Sequence, residues 1–333
     1  MNKNIIIYSE THEHYNLFKD LKSHKDVELV VVKQKKNKSK AIQIIKKIHL
    51  SNTISHYISL PFKNIWYEKI DLNIEPDKNY NIIVFDLALH DMDPSFLIKA
   101  SKLKNVNCYL MFINSMSFNL LKPIKEKMDL INWKSIYTFD ENDTKKYGFK
   151  KLEFCYYSKN DEIEIKNNVP DIDAYFIGTL YPNRKDKIIS LYEKLRNDGL
   201  NLEFHLQKTG KQRLEKMPYE NEIDYFNPER GRIPYENVLE SIQHAKTIIE
   251  IVQGFQSGPS LRYYEAVCYN KKLLTNNPDI VNYPLYNPKY MKVFSEIHDI
   301  DTDWVKSDLI VEYNYNNEFS PINLLNSITD SHS

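Results

Sequence analysis

Short, continuous runs of apolar and β-branched residues recur along the chain, and amphipathic segments separate them. The first five runs have the length of strands, and they lie at 4–10, 27–33, 81–87, 106–114 and 135–140. Apolarity that is continuous rather than alternating indicates strands covered on both faces, as in a parallel sheet flanked by helices. We therefore predict an α/β fold with a doubly wound, Rossmann-like sheet in the first part of the chain.

A second series of the same kind begins after a polar, proline-containing stretch at 158–172. Its strand-length runs lie at 174–179, 200–206, 247–252 and 271–277, with helical patterns between them. A chain of 333 residues also suits two domains better than one. We predict one Rossmann-like domain at 1–165, a second at 166–318 facing it across a cleft, and a C-terminal helix or tail at 319–333 that could pack back on the first.

Composition restricts the class of protein. Hydrophobic residues make up 42% and charged residues 27% of the chain, which is typical of a soluble globular protein. Lys+Arg and Asp+Glu both total 45, so no net field favours nucleic acid as a partner. Three widely spaced cysteines favour a reducing compartment, and no apolar run reaches the length of a membrane span. We therefore predict a cytoplasmic protein.

The basic run KQKKNKSK at 33–40 has two interpretations. Runs of this kind are usually solvated loops. An anionic membrane surface would also attract them, so a peripheral contact with the inner face of the plasma membrane is the second interpretation.

The stretch VQGFQSGPSLRYYEAV at 252–267 follows a predicted buried strand and opens a predicted helix at 260–269. Backbone N–H groups and the helix dipole favour an anion at such a place, usually a phosphate. The glycines would let the main chain approach a diphosphate, and Ser260 is suited either to cap the helix or to face a ligand. The alternative is an ordinary turn, followed by an exposed salt bridge between Arg262 and Glu265 that contributes little to stability.

Three stretches carry a resemblance to a known family. They are FIGTLYPNRKDKIISLYEKL, IPYENVLESIQHAKTIIEIVQGFQSGPSLRYYEAVCYNKKLLTNN and YTFDENDTKKYGFKKLEFCYYS. Together they resemble bacterial glycosyltransferases of the GT-B type, in the branch that builds capsules and lipopolysaccharides. The resemblance covers about 135–290 and reaches the N-terminal half only through its strand pattern. It implies a nucleotide-diphosphate sugar bound by the second domain, an acceptor bound by the first, and neither an obligatory metal nor another cofactor.

Carried over by position, the resemblance implies roles for residues of the second domain. Glu265 would bind the ribose, and Gly258, Pro259 and Ser260 would form the turn that faces the diphosphate. Arg184 would neutralise the diphosphate as it leaves. Without a metal that charge needs Arg or Lys side chains, and Arg262 is the other first choice.

The chain departs from the family pattern at one position. Many relatives carry a second acidic residue before the ribose-binding one, where this chain has Ser257. The role of contacting the sugar is therefore unassigned. Gln253 and Gln256 are polar substitutes that could hydrogen-bond sugar hydroxyls.

An inverting enzyme also needs a base that takes the acceptor proton. Ionisable side chains follow two predicted strands of the first domain, in SETHEHY and FDLALHDMD. His12 is our first choice because it is near the end of the first strand, and Glu13 and Asp86 are further candidates. A retaining enzyme would lack such a base. No pattern indicates a metal site. The Asp-x-Asp spacing occurs several times in the chain and is therefore weak evidence, and HEH at 12–14 lacks a third ligand.

The leading hypothesis is a metal-independent glycosyltransferase that uses a nucleotide-diphosphate sugar and a surface-polysaccharide or lipid-linked oligosaccharide acceptor. A nucleotide-sugar epimerase of the same architecture is the alternative among enzymes. A non-catalytic, nucleotide-binding relative is the third hypothesis, and the missing second acid supports it.

Overall fold

The computed structural model describes residues 2–33, 39–50, 63–116, 122–152, 156–162, 170–227, 231–254 and 258–330. The chain divides into two compact units, Met1–Tyr156 with Leu324–Ser333, and Tyr157–Asn323. The division after Tyr156 therefore falls nine residues before 165, where the sequence places the end of the first domain.

The first unit is built on a six-stranded parallel sheet in the order β2-β1-β3-β4-β5-β6. Its strands are β1 (Asn2–Ser9), β2 (Val27–Val32), β3 (Asn79–Phe85), β4 (Val106–Phe112), β5 (Ser135–Thr138) and β6 (Lys150–Lys151). Its described helices are α1 (Glu10–His14), α2 (Lys40–His49), α3 (Asp86–Asp91), α4 (Ser95–Ala100), α5 (Lys122–Met128) and α6 (Glu141–Tyr147). The five strands predicted here are confirmed. The sequence does not reveal β6 because two lysines carry no apolar signal.

The central strands of this sheet are buried on both faces. Ile5, Ile6 and Ile7 of β1 are all buried, and so are consecutive residues of β3. Since neighbouring residues of a strand point to opposite faces, helices or loops must cover both sides of the sheet. The continuous apolar runs therefore have the origin that the sequence predicts.

The second unit repeats this architecture with a parallel sheet in the order β12-β11-β10-β7-β8-β9. Its strands are β7 (Ile172–Thr179), β8 (Leu202–Gln207), β9 (Asp224–Phe226), β10 (Ala245–Glu250), β11 (Lys272–Thr275) and β12 (Met291–Val293). Its described helices are α7 (Lys185–Asn197), α8 (Tyr235–His244), α9 (Leu261–Cys268) and α10 (Thr302–Lys306), and α11 (Pro321–Asp330) follows. Each unit is thus a doubly wound α/β domain, which confirms the predicted fold class.

Helix α7 shows how local sequence sets these elements. Its buried residues Ile188, Leu191, Tyr192 and Leu195 recur at the helical spacing and form one apolar face. Gly199 then adopts a φ of +77°, a left-handed conformation that ends the helix at little steric cost. None of the helices within the described ranges is long and apolar enough to cross a membrane.

Candidate functional site

The order of strands in the second unit locates a crevice. Strand β7 lies between β8 and β10, and the chain leaves β7 towards β8 but leaves β10 towards β11, on the opposite side. Ligands of doubly wound sheets bind outside the carboxyl ends of the strands at such a switch point. The residues at this place are those that follow Thr179 in β7 and Glu250 in β10.

Arg184 bridges the two strands at this switch point. Its Nε donates to the carbonyl oxygen of Thr179 at 2.8 Å, and its Nη1 donates to that of Ile251 at 2.6 Å. Burial lowers its pKa to about 10, so the side chain stays charged at neutral pH. Among the residues that the structure describes, no carboxylate forms an ion pair with it. A guanidinium has five N–H donors, so donors remain for an anion.

Smaller groups complete the switch point. Asn183 Nδ2 lies 3.5 Å from Gln253 Oε1, so the segments after β7 and β10 meet here through polar side chains. A Cβ at Gly178 would lie 2.9 Å from Cζ of Phe176, so a larger residue would crowd this ring, and it would be in ordinary contact with Nη2 of Arg184 at 3.4 Å. Gln256, the other residue predicted to contact the sugar, lies outside the described residues.

The turn before α9 is fixed by Glu250, a buried acid to which no motif of the sequence assigns a role. Glu250 ends β10, and its Oε1 accepts hydrogen bonds from the backbone N–H and the hydroxyl of Ser260, at 3.0 and 2.7 Å. Its Oε2 accepts from the hydroxyl of Thr275 at 2.6 Å. Burial raises the pKa of Glu250, whereas these hydrogen bonds oppose the rise. The signal in the sequence was a charged residue inside the apolar run TIIEIV.

Ser260 caps α9, as the sequence predicts. Its Oγ accepts from the backbone N–H of Arg262 at 3.2 Å while its hydroxyl proton goes to Glu250. The serine hydroxyl is therefore occupied by the protein in this structure. Gly258 and Pro259, which precede it, are both buried, and their contact with a diphosphate stays a prediction.

We expect Glu250→Ala to destabilise the protein by about 2–3 kcal/mol, because the hydroxyls of Ser260 and Thr275 lose their buried acceptor. Chemical denaturation measures this loss. Glu250→Gln is the matched control, since its amide keeps an acceptor for Ser260 and gives Thr275 a donor, and it should lose much less. Equal losses in the two variants would contradict this role of the carboxylate.

Arg262 and Glu265 form a buried ion pair rather than the exposed salt bridge weighed above. Arg262 Nη2 donates to Glu265 Oε1 at 2.9 Å, and Nη1 lies 2.8 Å from Oε2. The hydroxyl of Tyr235 also donates to Oε1 at 2.9 Å, and it lies 2.6 Å from the hydroxyl of Tyr157. Burial raises the pKa of Glu265 to about 7, and the charge of Arg262 opposes the rise.

These contacts bear on the predicted ribose contact. The side chain of Glu265 is 0% exposed, and its carboxylate faces Arg262 and Tyr235. Ribose binding by Glu265 stays a prediction, and the observed contacts instead support a role in holding Arg262. Arg262 is itself 8% exposed, so its guanidinium presents little surface to a diphosphate.

In the first unit, β1 and β3 form the corresponding switch point, and the candidate bases lie just after these strands. His12, our first choice, is 3% exposed, and its ring packs edge-on against Phe18 and Phe85. Neither ring nitrogen has a hydrogen-bond partner among the described residues, and burial lowers the pKa of His12 to about 3. A side chain buried among aromatic rings is poorly placed to receive a proton from an acceptor hydroxyl.

The two carboxylates near His12 differ in accessibility. Asp86 is fully buried; its Oδ1 accepts from the backbone N–H of Leu87, and its Oδ2 accepts from those of Ile113 and Asn114. Burial raises its pKa to about 6 despite these bonds. Asp86 therefore fixes the loop after β4.

Glu13 is the accessible carboxylate, with its side chain 38% exposed. Its Oε2 accepts from the hydroxyl of Tyr8 at 2.6 Å, and its Oε1 lies 3.0 Å from Nζ of Lys22. Burial raises the pKa of Glu13, but the hydrogen bonds from Tyr8 and Lys22 outweigh burial and hold this pKa below its usual range. Of the three candidates, Glu13 alone combines an ionised carboxylate with an exposed position.

A cavity of about 530 Å³ lies elsewhere in the second unit. Its lining includes Ile172 and Asp224, the first residues of β7 and β9, together with Glu203 near the start of β8 and His244 at the end of α8. It does not include the residues that follow Thr179 and Glu250 at the switch point. In it, His205 Nε2 lies 2.7 Å from Glu203 Oε1, and Nδ1 lies 2.8 Å from Asp224 Oδ2. Burial lowers the pKa of His205, but the two carboxylates outweigh burial and raise it.

This histidine predicts a pH dependence of stability. A raised pKa in the folded state means that the protonated imidazole stabilises the fold, fully at pH values below the unfolded pKa of about 6.5. We expect the stability of the wild-type protein relative to His205→Gln to fall as the pH rises above about 6.5. Thermal melting of both proteins across this range measures the difference. A difference that does not change with pH would contradict the expectation.

Known proteins match this chain in structure and not in sequence. No family model and no curated protein matches it. Among solved structures, the lipopolysaccharide outer core galactosyltransferase WaaB in its apo form is 10% identical, with 98% of this chain and 99% of that chain covered and a TM-score of 0.48. The glycotransferase of kitacinnamycin is 10% identical, with 99% of both chains covered and a TM-score of 0.48.

A further similar structure is MurG of Acinetobacter baumannii, which is 10% identical, with 91% of this chain and 89% of that chain covered and a TM-score of 0.37. The first two of these structures are named as a galactosyltransferase and a glycotransferase, and the third carries the name MurG. Their similarity to this chain is distant.

Proposed function

We propose that the protein is a glycosyltransferase that moves a sugar from a nucleotide-diphosphate sugar to a surface polysaccharide or a lipid-linked oligosaccharide. The observation that carries this proposal is the position of Arg184, whose charge is held at the switch point of the second unit without a carboxylate partner among the described residues. Such a fixed positive charge in a crevice is suited to a phosphate-bearing ligand.

The same position suits the chemistry of glycosyl transfer. The transition state resembles an oxocarbenium ion, and negative charge develops on the departing diphosphate. Arg184 is preorganised for that charge because two backbone carbonyls fix its guanidinium. Helix α7 begins at the next residue, so its positive end reinforces the site. We propose that the reaction therefore proceeds without a metal ion.

Gln253 is the described residue that we assign to the sugar. It lies at the same switch point as Arg184 and contacts Asn183, and an amide can both donate to and accept from sugar hydroxyls. For an inverting reaction we assign the acceptor proton to Glu13 rather than to His12, since Glu13 is ionised and accessible.

One observation favours the non-catalytic alternative. The chain has Ser257 where many members of the family that it resembles carry an acid. A protein that binds a nucleotide without turning it over would not need this acid.

Incubation of the purified protein with UDP-, GDP-, CMP- and dTDP-sugars tests the proposal, with EDTA present and a lipid-linked glycan extract as acceptor. Acceptor-dependent release of the nucleotide together with a labelled glycan is the expected result. An altered sugar without an acceptor would instead show an epimerase, and binding without turnover would show the non-catalytic relative.

A further inference from the structure

Helix α2 of the first unit exposes an unusually apolar surface. Ile42, Ile44, Ile45 and Ile48 are 41%, 58%, 54% and 51% exposed. They are four of the twelve large apolar residues that are exposed within the described parts of the chain. Since single exposed apolar residues are common but clusters are not, this helix differs from the rest of the described surface.

The apolar residues share one side of the helix. Ala41, Ile44, Ile45 and Ile48 recur at i, i+3, i+4 and i+7, and Ile42 borders them. Gln43 and Lys46 lie on the other side. Helix α2 is therefore strongly amphipathic, with its apolar side towards solvent rather than towards a core.

The sequence around α2 is positively charged and contains no acid. Between Glu28 and Glu68 the chain has no Asp or Glu. The same stretch has eight lysines, which are Lys33, Lys35, Lys36, Lys38, Lys40, Lys46, Lys47 and Lys63. The whole chain carries no net charge, so the positive charge of this stretch is a local feature, and it is complementary to an anionic surface.

Helix α2 is also held to its unit at its C-terminal end. Nε1 of Trp66 donates to Nδ1 of His49 at 2.8 Å, and the two rings meet edge-on with centroids 5.9 Å apart. Ile65, the neighbour of Trp66 in the chain, is also exposed, at 54%. The last residue of α2 is therefore fixed to the segment that precedes β3.

We propose that α2 binds the surface of an anionic lipid bilayer, with its isoleucines inserted at the level of the headgroups and the positive charge of this stretch attracted to the lipid charge. An apolar helix side next to a lysine-rich side is the arrangement by which helices lie in a membrane interface. Neither signal alone gives stable binding, whereas the two together do. The inference goes beyond the transferase proposal and does not depend on it, because it concerns binding of the protein to lipid and not turnover.

Co-sedimentation of the full chain with vesicles tests the inference. One set of vesicles contains phosphatidylglycerol and phosphatidylcholine, and the other contains phosphatidylcholine alone. We expect the wild-type protein to bind the anionic vesicles, more weakly at high salt, and to bind the neutral vesicles much less. Ile44→Gln/Ile48→Gln should weaken binding at least about tenfold, and Lys33→Gln/Lys46→Gln should weaken it on anionic vesicles only.

Two controls separate lipid binding from other effects. Ile310→Gln removes an apolar residue that is 84% exposed in the second unit, and it should bind like the wild type. Circular dichroism should be the same for all variants, because each altered isoleucine is mostly solvent-exposed. The inference is overturned if the wild type does not bind anionic vesicles, or if the isoleucine variant binds as well as the wild type. Isoleucine-dependent self-association without vesicle binding would assign the surface to a second copy of the chain instead.

Discussion

Glu265→Ala should destabilise the protein by about 3–5 kcal/mol, because the substitution leaves the guanidinium of Arg262 buried without its carboxylate. Arg262 is 8% exposed, and both of its terminal nitrogens face Glu265. The hydroxyl of Tyr235 would lose the same acceptor. Chemical denaturation of the purified variant measures the loss of unfolding free energy.

Matched variants separate this structural role from ribose binding. The double variant Arg262→Met/Glu265→Leu replaces both charges with apolar side chains and should recover most of the lost stability. Glu265→Gln keeps an acceptor for Tyr235 but not the charge, so its loss should be intermediate. If Glu265→Ala were as stable as the wild type but no longer bound a nucleotide, the carboxylate would face the ligand in solution, as the sequence resemblance implies.

Arg184→Ala should lower kcat/KM for transfer about 10²–10³-fold, because the charge that meets the departing diphosphate is lost. Arg184→Lys keeps the charge but cannot reproduce the bonds to both Thr179 and Ile251, so it should remain well below the wild type. Acceptor-dependent release of the nucleoside diphosphate measures both variants.

The control for Arg184 is another arginine of the same unit. Arg196 is partly exposed, and its Nη2 donates to Glu222 Oε1 at 3.1 Å, away from the switch point. Arg196→Ala should keep the wild-type kcat/KM. Wild-type activity in Arg184→Ala would contradict the assigned role.

Local patterns sufficed to predict most of the fold. The central strands are continuous apolar runs because both of their faces are covered, and α7 is recognisable because its buried residues keep one spacing. The cap at Ser260 depends only on the residues around it, so it was also predictable. The short edge strands β6, β9 and β12 were not, since two or three residues carry too little pattern.

The site was only partly predictable, because burial depends on residues that are distant in sequence. The spacing of Arg262 and Glu265 is the same in an exposed and in a buried pair, and the pair is buried here by contacts that include Tyr235, 30 residues from Glu265. His12 follows the first strand as expected, but its ring turns into the aromatic cluster with Phe18 and Phe85. Arg184 lies at the predicted end of the sheet because strand order fixes that place.

Calorimetric titration of the protein with UDP, GDP, dTDP and CMP, in the presence of EDTA, tests the central claim most directly. We predict that at least one nucleotide binds the wild type and Arg196→Ala equally well, and that Arg184→Ala binds it at least about tenfold more weakly, since a charge-assisted contact with phosphate is lost. Equal affinity in Arg184→Ala, or no binding of any nucleotide to the wild type, would contradict the claim that the switch point of the second unit is a nucleotide-sugar site.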